Sequence, residues 1–287
     1  MTLGAQTDRS TTTFQALVLA GSRGPSDPVA QVAGVSHKCF ASISGVPMIV
    51  RVVDALAASP WIGDIAIAIE DPGLVTTVPA LDALGGRLSA FKAAETPSLS
   101  VRKALEGRDL GFPLLVTTAD HALLTPEILD LFLRGALESD ADIVAGLAPA
   151  RVIQAAYPET RRTYLRFRGE GFSGANLFAL LSPQALHAID FWRRIERQRK
   201  RPWQLAKAFG LGNLLAYALR RHSLNEAMAR ISPRLGCRAE AVVLPVAEAA
   251  IDVDKPADLE LVEKILSNRP RVEEIRPISA GGHYAGG

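Results

Sequence analysis

The feature that most constrains the fold of this chain is an alternation of short apolar runs with helical patterns over its first two thirds. FQALVLA (14–20) and FPLLVTTAD (112–120) are continuous apolar runs, as in strands buried on both faces. We predict strands at 14–20, 63–70, 88–95, 112–120 and 141–148, and helices at 47–59, 98–107 and 126–138. The alternation predicts an α/β fold of three layers, in which a mixed, mostly parallel Rossmann-like sheet carries helices on both faces.

The pattern changes after residue 150. Alternating runs at 161–169 and 174–182 favour strands, and residues 191–236 are helical and strongly basic at their start. A strand at 239–246 and a helix at 256–268 follow. We therefore predict a single domain over 14–268 with a helical basic insertion at about 185–236, a disordered lead at 1–13 and a flexible tail at 269–287.

Composition argues against several classes of function. The 287 residues have a formal net charge of +2, which gives no overall attraction to nucleic acid, so we expect no nucleic-acid partner. Cys39 and Cys237 are the only cysteines and neither lies in a C-x-x-C pair, so the sequence indicates no zinc site and no disulfide framework. No apolar run has the length of a membrane span, and the first residues lack the apolar stretch of a secretory signal. We therefore expect a protein of the reducing cytoplasm.

Two cationic side chains follow the first predicted strand. The run LAGSRG places backbone amides and Arg23 in the first strand-to-helix loop, where a helix N-terminus and a guanidinium can hold phosphates. Lys38 stands just ahead of the first helix and can add a point charge to the same phosphates. The structural alternatives are an ordinary glycine-arginine turn and a solvated surface lysine.

Carboxylates follow the later strands. Asp120 ends an apolar strand, where an exposed carboxylate suits a hard cation such as Mg²⁺. Asp252 and Asp254, in the run IDVDKPADL, precede a proline-started helix, and alternation along a strand predicts that both point to the same side. Helix capping is the alternative role for all three. His121 is an adjacent candidate base, but we expect it to be a neutral imidazole that makes one local hydrogen bond.

These motifs occur in a characteristic order. LAG-x-RG comes first, then Lys38 ahead of Gly-Val-Pro-Met-Ile (45–49), then the strand that ends in Asp120, then Gly-Ala-Asn (174–176), and finally D-x-D-K-P-A-D-L. This order resembles that of the nucleotidyltransferases with a molybdenum-cofactor-guanylyltransferase-like domain. That group also contains cytidylyltransferases of isoprenoid synthesis and sugar-phosphate uridylyltransferases. The resemblance covers roughly residues 14–268 and implies a nucleotide-diphospho-sugar transferase fold, which is glycosyltransferase-A-like.

The resemblance implies a role for each matching residue. Its nucleotide site comprises Leu19, Ala20, Gly21, Ser22, Arg23, Lys38 and Ser100, its Mg²⁺ ligands are Asp120 and Asp254, and its acceptor residues are Gly174 and Asn176. Arg23 and Lys38 neutralise the triphosphate and, with the two aspartates, form the catalytic set. Arg166 belongs to a run of alternating arginines near the expected acceptor side, which indicates an anionic acceptor.

The implied enzyme is a Mg²⁺-dependent nucleotidyltransferase. An acceptor oxygen attacks the α-phosphorus of a nucleoside triphosphate and pyrophosphate leaves in line, so cations supply the catalysis. We expect CTP as donor and, as acceptor, a small phosphorylated acid or polyol such as a phosphoglycerate or another lipid head-group precursor. The alternatives are guanylyl transfer to a pterin-type cofactor, a sugar-1-phosphate acceptor, glycosyl transfer, and a scaffold that kept the fold without the chemistry.

The basic segment RRIERQRKRPW (193–203) follows Trp192 and ends at Trp203. One interpretation is a peripheral contact with a membrane surface, which suits activation of a lipid head group. The other is a solvated helix face beside a lid or a homodimer contact.

Overall fold

The computed structural model describes residues 13–22, 24–107, 110–198 and 210–269. Arg23, residues 199–209 of the basic insertion, and nearly all of the predicted lead and tail lie outside the described residues. In the part of the chain that is described, no helix is long and apolar enough to cross a membrane.

An eight-stranded sheet forms the centre of the fold. Its strands are β1 Phe14–Leu19, β4 Ile62–Ile69, β5 Leu88–Lys92, β6 Leu114–Thr118, β7 Ile143–Pro149, β8 Leu165–Arg166, β9 Gly171–Leu180 and β10 Ala239–Val243, in the order β10-β7-β9-β6-β1-β4-β5 with β8 paired to β9. β9 runs antiparallel to β6, β7 and β8, and the other pairs are parallel. A small hairpin, β2 Ser42–Ile43 with β3 Val46–Pro47, lies apart. The predicted mixed, mostly parallel sheet is confirmed.

Helices connect and cover these strands. They are α1 Pro28–Ala33, α2 Met48–Ala58, α3 Gly73–Thr76, α4 Pro79–Asp82, α5 Pro97–Gly107, α6 Pro126–Glu138, α7 Ala150–Ala156, α8 Ala185–Gln198, α9 Leu211–Ala218, α10 Leu224–Leu235 and α11 Pro256–Ser267. Short 3₁₀ turns occur at Gly24–Ser26, Lys38–Phe40, Gly85–Arg87 and Ala247–Ala250.

Side-chain alternation along the buried strands explains the three layers. Ala16 and Val18 of β1 pack in a core with α2 and α6, whereas Leu17 points to the other face and packs with α5 and α8. Because successive side chains on a strand face opposite sides, a continuously apolar strand needs a helix layer on each side.

Some element predictions were wrong in extent. The run 161–169 contributes only the two residues of β8, because arginines alternate there with few apolar partners to bury. Residues 251–255 form no strand, so the alternation assumed for Asp252 and Asp254 has no basis. α1 and α7 were not predicted, since both are short and lack an amphipathic repeat.

Candidate active site

A cavity of about 550 Å³ opens where β1, β4 and β6 end, at the carboxyl edge of the parallel strands. Ligands of open α/β sheets bind at this edge. Of the predicted site residues, Leu19, Ala20, Gly21, Ser22, Lys38, Ser100, Asp120, Asn176 and Asp254 line the cavity. The structure therefore brings together residues that lie far apart in the sequence. We call this space the main cavity.

Lys38 links the two predicted metal ligands. Its Nζ donates to Asp120 Oδ2 at 2.6 Å and to the carbonyl oxygen of Val253 at 2.9 Å, and it lies 3.5 Å from Asp254 Oδ1. Burial alone would lower the pKa of Lys38, but the Asp120 carboxylate, supported by Asp254, raises it above its ordinary value. The lysine is therefore charged, and one ammonium neutralises part of a two-carboxylate cluster.

Local contacts orient Asp120 toward the cavity. Thr118 Oγ1 donates to Asp120 Oδ1 at 2.5 Å, and the amide of Val253 donates to the Asp120 carbonyl oxygen at 3.1 Å. The next helix, α6, is capped by Thr125, whose Oγ1 accepts from the Ile128 amide. The alternative of a capping role for Asp120 is therefore wrong.

Asp258 does the capping at the other carboxylate. Its Oδ2 accepts from the amides of Asp254 and Lys255 at 3.1 Å each, which leaves the Asp254 side chain to face the cavity. Because Asp258 of the helix itself accepts from the free amides at the helix start, the Asp254 carboxylate is not needed as a cap and can bind another partner.

Asp252 has a different orientation from Asp254 and does not line the main cavity. Its carboxylate accepts from Arg162 Nη1 and, at 2.8 Å, from Asn176 Nδ2, while Arg162 Nη2 donates to the Asp252 carbonyl oxygen at 2.8 Å. Burial raises the pKa of Asp252, and the Asp120 charge adds to this effect. Arg162, only 7% exposed, thus holds the segment that carries Asp254 and, through Asp252, orients Asn176.

The glycine loop lies against a carboxylate that sequence analysis missed. Glu70 Oε1 accepts from the Ser22 amide at 2.6 Å, and Glu70 Oε2 lies 3.5 Å from His37 Nε2. A Cβ at Gly21 would lie 3.6 Å from the same Glu70 oxygen, so the loop approaches this side chain closely. The sequence did contain a signal for Glu70, because this residue ends the apolar run GDIAIAIE in the same way as Asp120 ends its strand.

α8 closes the side of the cavity next to Ser100. Glu196 accepts from the amide of Ser98 at 3.4 Å and from its hydroxyl, which caps the start of α5, and Arg102 Nη1 donates to Asp190 Oδ2 at 2.7 Å. These contacts join the basic insertion to the cavity wall.

Two aromatic rings form part of the same wall. Trp192 stacks on Phe178 with ring centroids 6.3 Å apart, and both line the main cavity. The predicted membrane or homodimer contact of 193–203 stays a prediction, since half of its basic residues, Arg199, Lys200 and Arg201, lie outside the described part of the chain.

The predicted acceptor residues separate in the structure. Asn176 lines the main cavity, whereas neither Gly174 nor Arg166 does. Arg166 faces a different cavity, so the structure gives no support to its predicted place beside the acceptor. His121 is 1% exposed, and burial lowers its pKa to about 4. It is therefore neutral, as expected.

The donor set agrees with magnesium chemistry. Mg²⁺ commonly takes one or two protein carboxylates and completes its shell with water and substrate phosphates. Asp120 and Asp254 provide two carboxylates, both next to the Lys38 ammonium. Among the described residues, no group of three or more His, Cys, Asp or Glu side chains could hold a metal ion. The residues present thus fit a metal that arrives with a phosphate ligand better than a closed structural site.

An open, mostly parallel sheet with a glycine loop, a lysine and two carboxylates at its carboxyl edge defines a nucleotide-binding α/β enzyme. Comparison with protein families gives the family: residues 16–203 match the MobA-like NTP transferase domain. The chain belongs to this family and is a nucleotidyltransferase, which confirms the resemblance drawn from the motifs.

Solved structures agree with this assignment. A hypothetical transferase from Thermus thermophilus is 32% identical with a TM-score of 0.72, and the match covers 86% of this chain and 100% of that one. CMP:2-keto-3-deoxy-manno-octonic acid synthetase complexed with CTP is 15% identical, with a TM-score of 0.51 and coverage of 90% and 99%.

A 4-diphosphocytidyl-2C-methyl-D-erythritol synthase from Anaerococcus prevotii is 11% identical, with a TM-score of 0.56 and coverage of 90% and 97%. At such identities the two synthases support the fold alone. No curated protein matches the chain.

Proposed function

We propose that the main cavity transfers a nucleotidyl group from a nucleoside triphosphate to a small phosphorylated acceptor and releases pyrophosphate. The observation that carries this proposal is the contact of Lys38 with both Asp120 and Asp254 inside a cavity that the glycine loop also lines. Phosphoryl and nucleotidyl transfer need positioned charge more than covalent chemistry.

Each part of the cavity has a place in this proposal. Backbone groups of Leu19 to Ser22 and the start of α5 at Ser100 bind the base and ribose, as the family resemblance implies. Lys38, with Arg23, neutralises the phosphates. A phosphate at the Ser22 amide displaces the Glu70 carboxylate that accepts from this amide in the free protein.

Asp120 and Asp254 would hold Mg²⁺. When bound, the ion supplies neutralisation of the triphosphate and of the charge that develops as pyrophosphate leaves. Asn176, held by Asp252, donates to the acceptor, and Trp192 and Phe178 exclude water from that side.

CTP is the donor that we propose, because the similar synthases carry cytidylyl chemistry in their names and one was solved with CTP. The acceptor that we propose is a phosphorylated acid or polyol such as a phosphoglycerate. The MobA-like family model supports a second candidate, guanylyl transfer from GTP to a pterin-type cofactor.

Pyrophosphate release tests the proposal, with purified protein, Mg²⁺, each ribonucleoside triphosphate in turn, and a panel of phosphorylated acids, polyols, sugars and pterins. We expect release that requires one triphosphate and one acceptor. We expect Asp120→Asn to lower it by about 10²-fold or more, whereas Asp140→Asn, at an exposed aspartate that does not line the cavity, leaves it unchanged. Equal release by the wild type and the Asp120→Asn variant would refute the assignment of the cavity.

A further inference from the structure

A second cavity of about 320 Å³ lies between β8, the end of α9 and α10. Its lining residues are Leu165, Arg166, Phe167, Tyr217, Arg220, His222, Ala227, Met228, Arg230 and Ile231. None of these residues lines the main cavity. The volume lies within the range of small-molecule sites, about 300–1,000 Å³. It is therefore a separate space with room for a ligand.

Ring packing and hydrogen bonds fix the wall of the second cavity. Phe167 meets Tyr217 edge to face at 5.8 Å between centroids and Phe172 at 6.1 Å. The Arg166 amide donates to the Tyr217 hydroxyl at 3.3 Å. Since these contacts join α9 to β8 and β9, the apolar surface is formed without a ligand.

The charges around this apolar space are all of one sign. Arg166, Arg220 and Arg230 line it, no carboxylate does, and among the described residues none of the three arginines has a carboxylate partner. The nearby Glu226 is already engaged by Arg168 and by the Ser223 amide. Three guanidinium groups beside one apolar surface offer several charged donors, which suit an anionic group on an otherwise apolar ligand.

Arg220 adds a backbone observation. Its φ is +50°, a left-handed conformation that glycine adopts at lower cost. This residue follows the C-cap of α9, a position where glycine or asparagine is usual, yet the chain places an arginine there, and that arginine lines the second cavity.

We propose that the second cavity binds an amphipathic anion, with an apolar ring or chain in the cavity and a carboxylate, phosphate or sulfonate on its arginines. Neither the apolar part nor the anionic part of such a ligand would bind well by itself, because the apolar wall offers no hydrogen bonds and the exposed arginines bind simple anions weakly in water. This site is distinct from that of the transferred nucleotide.

Two fluorescent probes test the ligand class. 8-Anilinonaphthalene-1-sulfonate carries the anion, and N-phenyl-1-naphthylamine has the same rings without it. We expect the sulfonate to bind about tenfold or more tightly than the neutral amine, the difference expected from a charge-assisted hydrogen bond. We also expect 4-phenylbutyrate to displace it, while butyrate and 4-phenylbutanol do not. Equal affinity for both probes, or displacement by a nucleoside triphosphate with Mg²⁺, overturns the proposal.

Matched variants locate the probe. Ala227→Phe fills the second cavity, whereas Ala229→Phe places the same ring on the exposed side of α10. Arg166→Gln with Arg230→Gln removes two lining charges, and Arg161→Gln with Arg194→Gln removes two exposed charges elsewhere. We expect only the first variant of each pair to weaken sulfonate binding, by about tenfold. If both variants of a pair weaken sulfonate binding equally, the probe binds elsewhere and the proposal is overturned.

The natural anion can be a free acid or a lipid. Sedimentation with vesicles of phosphatidylcholine, with and without phosphatidylglycerol, distinguishes them. Vesicle binding that needs phosphatidylglycerol and is lost in the Arg166→Gln/Arg230→Gln variant identifies a lipid. Probe binding without vesicle binding identifies a soluble acid, and the absence of both contradicts the site.

Discussion

Lys38 Nζ lies 2.6 Å from Asp120 Oδ2, although the two residues are 82 positions apart and belong to different strand connections. The side chains are each 14% exposed, so water screens this contact only in part. The same ammonium reaches Asp254, 216 positions from Lys38. In the proposed reaction, the metal, the lysine and the phosphate all interact with the same two carboxylates. A change in the charge of any one of them therefore changes how strongly the others bind.

Removing either carboxylate tests the metal assignment. We expect Asp120→Asn and Asp254→Asn each to lower turnover by about 10²-fold or more, the usual loss when a positioned electrostatic group is removed. Pyrophosphate release at varied Mg²⁺ measures the effect, with Asp140→Asn as the surface control. Turnover and a Mg²⁺ concentration for half-maximal activity that both equal those of the wild type in the two variants would contradict the assignment of these ligands.

Lys38→Met tests whether the lysine and the metal compete for the same carboxylates. Without Mg²⁺ this variant leaves Asp120 and Asp254 uncompensated, so we expect a loss of about 2 kcal/mol or more in the free energy of unfolding. Added Mg²⁺ should restore more stability to the variant than to the wild type, because the ion replaces the missing charge. Thermal unfolding with EDTA and with Mg²⁺ measures this, and an equal Mg²⁺ effect on both proteins shows that the metal binds elsewhere.

Arg162 acts on the site through Asp252. Arg162→Lys keeps the charge but removes the planar guanidinium, whose two terminal nitrogens bind the carboxylate and the carbonyl oxygen of Asp252 from separate positions. We expect kcat to fall about tenfold or more while KM for the triphosphate changes little. Displacement of the groups that Arg162 positions slows the reaction of the bound substrates more than it weakens triphosphate binding.

A double-mutant cycle separates positioning by Arg162 from simple destabilisation. We expect the effects of Arg162→Lys and Asn176→Ala on kcat/KM to be non-additive, because Asp252 connects the two side chains. Arg151→Lys is the control, since the Arg151 side chain is 75% exposed and pairs with Glu170. Strict additivity in the cycle shows that Arg162 contributes stability only.

Cys39 lines the main cavity but should react slowly. Burial raises the pKa of its thiol to about 12 from about 9, and the Glu70 charge adds to this effect. Thiolate is the reactive form, so at pH 8 the expected rate is roughly 10³-fold below that of an ordinary cysteine, rising with pH up to the raised pKa. Labelling with a maleimide and mass spectrometry of native and unfolded protein measures it. Rapid native labelling at Cys39 contradicts the burial.

The sequence alone was enough to predict the site residues that directly follow an apolar strand. Asp120 and the glycine loop follow apolar strands, and parallel strands bring such residues to one edge. Arg162 and Glu196 act through partners some 90 to 98 positions away, which no periodicity reveals. The predicted direction of the Asp252 side chain was wrong because residues 251–255 form no strand. They form an irregular segment with a bend, held by hydrogen bonds to Arg162 and Asp258.

The position of Asp254 after β10 in the sequence has a consequence for synthesis. The ribosome produces β1, Lys38 and Asp120 early, and Asp254 follows only after every strand of the sheet, through β10, has been made. A chain that stops before residue 251 would contain all eight strands of the described sheet but only one of the two carboxylates. Translation must therefore pass the last strand before the proposed metal site can exist, so prematurely ended chains would be inactive.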